Sequence, residues 1–115
     1  MPNPKRGELE VSLNGQSYQC KITMDVIMRI ETNVGRGILK IAQGLQDAEM
    51  SAAEMVSILT PVLRSSGADL KDREVGNIIW DAGFAEGLRV IAEIIVSIIG
   101  GDDNEGNELK AVKQA

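Results

Sequence analysis

The stretch GELEVSLNGQSYQCKI, residues 7–22, consists of two alternating runs joined at Asn14-Gly15. An Asn-Gly pair suits a type I′ turn, because both central residues need positive φ and the turn's twist matches that of a hairpin. A two-residue turn at that point sets Leu9 opposite Cys20 and Val11 opposite Tyr18. On the other face Glu8 meets Lys21, Glu10 meets Gln19 and Ser12 meets Ser17. One face is therefore apolar, and the other is polar with an opposite-charge pair. Slipping the register by one residue would scramble both faces, so the pattern specifies a single antiparallel hairpin.

A lone hairpin is marginal in water, so its apolar face needs a cover. Downstream, the spacing of apolar residues changes to that of helices. Thr23 is a candidate N-cap, with Asp25 in the first turn and Gly35 as a C-terminal stop. Val26, Ile27, Ile30 and Val34 fall on one stripe of this helix. A shorter helix from Ile38 to Gln46 aligns Ile38, Ile41, Ala42 and Leu45. Ser51-Ala-Ala-Glu54 is a capping box, and the helix behind it aligns Met55, Val56, Ile58, Leu59, Val62 and Leu63. Pro61 is expected on the opposite, solvent side, where the carbonyl of Ser57 can reach water, and Gly67 is expected to end the element. Asp69 or Lys71 opens a fourth helix carrying Val75, Ile78, Ile79 and Ala82, with Gly83 as a break. A fifth helix, from Phe84 to Ile99, confines Glu86, Arg89, Glu93 and Ser97 to a narrow strip and is apolar nearly everywhere else. Such a helix must be central or must bury a second face against a partner.

This reading gives an α+β domain over residues 7–100, a β-hairpin packed on about five helices. Residues 1–6 are read as a flexible lead-in and residues 101–115 as a disordered acidic tail. A chain of 115 residues holds one domain. Its 43% hydrophobic and 25% charged content is ordinary for a globule. The net charge of −5 disfavours phosphate backbones, so no nucleic-acid partner is expected. His is absent, which removes the usual general base near neutral pH. A single Cys excludes an internal disulfide and any multi-Cys zinc site. The N-terminus has no apolar h-region, and the apolar run from Leu88 to Ile99 is short and interrupted by charge, so neither a signal peptide nor a membrane span is expected. These exclusions point to a soluble cytoplasmic protein that is not an enzyme and carries no cofactor.

Sites for chemistry are weak. Cys20 has no His to activate it and lies on the apolar face of the hairpin. Glu86 and Glu93 sit two turns apart with Arg89 between them, the pattern of a solvated ion-paired strip. The tail's DDNEG departs from a calcium loop in the position of its glycine, and Gly35-Arg36-Gly37 lacks the third glycine and the strand of a phosphate cradle. Sites for contact are better. Met24 and Met28 lie one turn apart, away from the Val26/Ile30 stripe, and either pack under the hairpin or offer an adaptable apolar surface. Trp80 points away from the Val75/Ile79 stripe and either covers an edge of the core or anchors an interface.

The order of three segments, GELEVSLNGQSYQCKITMDVIMRIETNVG, SAAEMVSILTPVLRSSGADL and DREVGNIIWDAGFAEGLRVIAEIIVSIIGG, resembles the tail assembly chaperones of tailed phages, specifically the gene-transfer-agent type. The likeness spans residues 7–100. It implies a protein of phage or prophage-derived particle morphogenesis that coats apolar helical stretches of a tape-measure protein, helps recruit tail-tube subunits, and is absent from the finished particle. No contact residue transfers from the family. Helical geometry alone nominates Met24, Met28, Trp80, Phe84, Val90 and Ile94 as partner-binding residues. The rival readings are a helical homodimeric structural or adaptor protein and, behind it, a small DNA-binding regulator.

Overall fold

The computed structural model describes residues 7–100; the lead-in and the acidic tail lie outside the described residues. Two strands, β1 (Glu8–Leu13) and β2 (Gln16–Lys21), precede five helices: α1 (Met24–Val34), α2 (Ile38–Gln46), α3 (Ala52–Arg64), α4 (Asp72–Ala82) and α5 (Phe84–Gly100). This is the expected α+β architecture of one antiparallel hairpin on five helices.

The hairpin pairs in the register its sequence demands, Leu9 with Cys20 and Val11 with Tyr18. Asn14 and Gly15 both take positive φ, 55° and 77°. Val11, Leu13 and Cys20 enter the core, while Ser17 donates to Glu10 on the outer face. The end of β2 is fastened to the end of α3, where the Lys21 N–H donates to Ser65 Oγ at 2.9 Å.

The local signals work as read. Thr23 caps α1 by accepting the Val26 N–H, and Gly35 closes that helix in the left-handed region at φ 84°. Ser51 and Glu54 cap α3 reciprocally, at 3.1 Å and 3.0 Å. At the start of α4, Glu74 accepts the Lys71 N–H at 2.8 Å, and Lys71 has no acceptor to return the bond.

α3 is the axis of the molecule. β2, α1, α4 and α5 all pack on it. Every residue from Ile58 to Leu63 is buried, and each large apolar side chain in that run contributes roughly 1.5–3 kcal/mol. This corrects the expectation for Pro61. With neighbours on several sides there is no solvent side at that level, so the proline is interior. The Ser57 carbonyl left free by the missing proline N–H receives Asn33 Nδ2 from α1 at 3.5 Å. α3 also ends at Arg64, three residues before Gly67, as the Ser65 and Ser66 hydroxyls donate to the carbonyls of Val62 and Leu63, each at 2.6 Å.

α5 lies against β1, α2, α3 and α4. Its close approach requires Gly87: a Cβ there would lie 2.7 Å from Met55 Cε.

Candidate functional site

Among the described residues, packing leaves three apolar places uncovered. At the α4–α5 corner, Gly83 (φ 99°) turns the chain in a single residue. That sharp turn brings Phe84 beside Trp80, with ring centroids 6.3 Å apart in an edge-to-face arrangement. Trp80 is 75% exposed and Phe84 49%, so neither ring covers the core. On α1, Met24 and Met28 are also mostly in solvent. Met28 borders a shallow depression shared with Asp25, Arg29, Thr32 and Asn33.

The third place is a groove of about 570 Å³ between α2 and α5. Leu39, Ala42, Gln43, Leu45 and Gln46 form one wall, and Ala92, Ile95, Val96 and Ile99 form the other. No lining residue is charged, on a chain a quarter of whose residues are. Leu39 at 68% exposure and Val96 at 53% stand open to solvent.

Of the six residues nominated from helical geometry, Met24, Met28, Trp80 and Phe84 are therefore surface residues, though at two separate places. Val90 and Ile94 are not. Both are completely buried, because the side of α5 that carries them is the side taken by the rest of the fold. The apolar residue that α5 leaves most open in its later turns is Val96. Leu39 and the groove were missed from sequence; the available signal was that Leu39 falls off the Ile38/Ile41/Leu45 stripe.

Several polar side chains are engaged in ion pairs and hydrogen bonds within the fold. Arg89 pairs with both neighbouring carboxylates, Nη2 to Glu86 at 2.8 Å and Nη1 to Glu93 at 2.6 Å. Its hydrogen bonds hold the Glu86 carboxyl below the usual range, and Arg89 is in turn held above its own. Burial pushes the Cys20 thiol up to about 11, so the thiolate needed for nucleophilic attack is disfavoured near neutral pH. The corresponding stability is complete below the ordinary thiol range and is lost as pH rises toward 11. Arg36 crosses from the α1–α2 connection to Glu54 on α3 at 2.8 Å. Its guanidinium lies over Gly44 of α2, where a Cβ would come within 3.0 Å of Nη1. Among the described residues, no three His, Cys, Asp or Glu side chains gather as metal ligands, and no helix is long and apolar enough to cross a membrane.

The described residues form a small α+β protein, mostly helical, with apolar side chains exposed at the α4–α5 corner, on α1 and in the α2–α5 groove. A family profile described as "Phage tail tube protein, GTA-gp10" matches residues 6–101. The chain belongs to that family of phage and gene-transfer-agent tail proteins. No curated protein and no solved structure matches it.

Proposed function

We propose that this chain is a tail assembly chaperone. It is non-enzymatic, works in the cytoplasm of the bacterial host, and shields apolar helical segments of a tape-measure protein until tail-tube subunits replace it. The observation that supports this reading is the uncharged α2–α5 groove, which the described residues leave open on a chain rich in charge. A tape-measure helix exposes apolar surface before the tube encloses it, and such surface aggregates unless covered. A groove walled by two helices accepts a third by the same packing that joins helices within a domain. Handover requires reversible binding of moderate affinity, which suits a contact of this limited size.

The description of the family favours a second reading, in which the chain is itself a tube subunit. Such a subunit must make head-to-tail contacts that close into rings and stack. Co-expression separates the two. Under the chaperone reading, the tape-measure protein of the same gene cluster becomes more soluble and co-purifies with this chain. Leu39→Asp, which sets a charge on the exposed rim of the groove, then lowers recovery of the complex about tenfold with little change in Tm. Rings or tubes formed by the purified chain alone would support the tube-subunit reading. A concentration-independent dimer with affinity for neither partner would return the protein to the structural-dimer class.

A further inference from the structure

Among the helices, α2 is held least by its own sequence. It has nine residues, its N-cap Gly37 offers no side chain, its first turn has no acidic residue, and its last turn has no basic one. Lys40 sits in the first turn, where a positive charge opposes the helix dipole, and Gly44 interrupts the interior. A helix this short does not hold itself in water, so α2 persists by docking the fully buried Ile41 and the half-buried Ile38, Ala42 and Leu45. Backbone freedom leads into it at Gly35-Arg36-Gly37, with Gly35 at φ 84°, whereas its far end is pinned, with Ala48 held at φ 58° and the Glu49 N–H donating to the Gly44 carbonyl at 2.7 Å. Two polar attachments close the hinge. Arg36 reaches Glu54 of α3 at 2.8 Å, and Glu31 Oε2 accepts the Ile38 N–H at 2.9 Å.

We propose that α2 is a hinged flap, latched by Arg36–Glu54, whose opening widens the α2–α5 groove to admit the aliphatic face of one partner helix. The flap stands on the features just described, and only the identity of the occupant rests on the chaperone reading. The occupant is an uncharged helical face because the groove offers no charged side chain, and a charge carried into it would be buried without a partner. The α5 wall from Ala92 to Ile99 is about two turns long, enough for apolar residues at i, i+3, i+4 and i+7. Opening by a local unit of low stability needs no unfolding of α3.

Hydrogen exchange on the full chain tests this. Glu54→Gln retains an oxygen to cap the Ser51 N–H but removes the charge facing Arg36, so it unlatches without uncapping. In the wild type, the amides of Ile41–Gln46 should exchange at least about tenfold faster than those of Ile58–Leu63. Glu54→Gln should speed α2 a further threefold to fivefold, roughly what a half-buried ion pair yields, and leave α3 beyond its first turn unchanged. Equal exchange in α2 and α3, or equal acceleration of both, would overturn the flap. A synthetic leucine-faced helix should bind Glu54→Gln severalfold more tightly, because more of the chain is open. Unchanged affinity would overturn the gating and leave the chaperone reading standing. Failure of the tape-measure protein to co-purify, with the exchange pattern intact, would remove the chaperone reading and leave the flap.

Discussion

α3 and α2 are built in opposite ways. α3 carries a reciprocal cap, an acidic residue in its first turn, Arg64 in its last, and six consecutive buried residues at its far end. α2 has none of those end signals and is fixed by one deep anchor, three half-buried side chains and two polar attachments at its N-terminal end. The difference shows that equal regularity in a fold can rest on unequal foundations. α3 is specified locally and confirmed by its neighbours, whereas α2 is regular because α5 and α1 hold it.

The largest effect that could break this contrast comes from paired core truncations. Leu59→Ala in α3 should cost roughly 2–5 kcal/mol, the loss of buried methyl groups plus a cavity that cannot collapse. Ile41→Ala in α2 should cost less, about 1–2 kcal/mol, because the helix can let go rather than hold a void. Urea melts followed by circular dichroism measure both; equal losses, or the reverse order, would mean α2 is part of the main cooperative unit.

Ser51→Ala comes next. It removes the hydroxyl that accepts the Glu54 N–H and should destabilise by about 1 kcal/mol in the same melts. The smallest change runs the other way. Gly37→Ser gives α2 the cap it lacks and should raise its stability by a few tenths of a kcal/mol. That gain should appear as slower exchange confined to α2, with the midpoint of the global melt nearly unmoved.

What was legible in the sequence follows the same division. The hairpin register was readable because a period of two and an Asn-Gly turn leave one solution. Thr23, Gly35 and the Ser51/Glu54 pair were readable because a cap involves residues three or four apart. Pro61 was misplaced because its surroundings depend on α1, whose Asn33 also takes up the Ser57 carbonyl. Val90 and Ile94 failed as surface residues for a related reason. Periodicity says which side chains share a face, but on a helix apolar around most of its girth it does not say which face the neighbours take. The groove could not be read at all, because neither of its walls is complete without the other.

Trp80 is the chain's only tryptophan, and it stands in solvent. The indole's surroundings therefore differ little between native and unfolded chain, so its emission is a poor reporter of denaturation. Anything that settles over the α4–α5 corner, however, exchanges water for protein around that one fluorophore and shifts its emission to the blue. The molecule thus carries an intrinsic optical probe that is nearly silent to unfolding and responsive to occupancy.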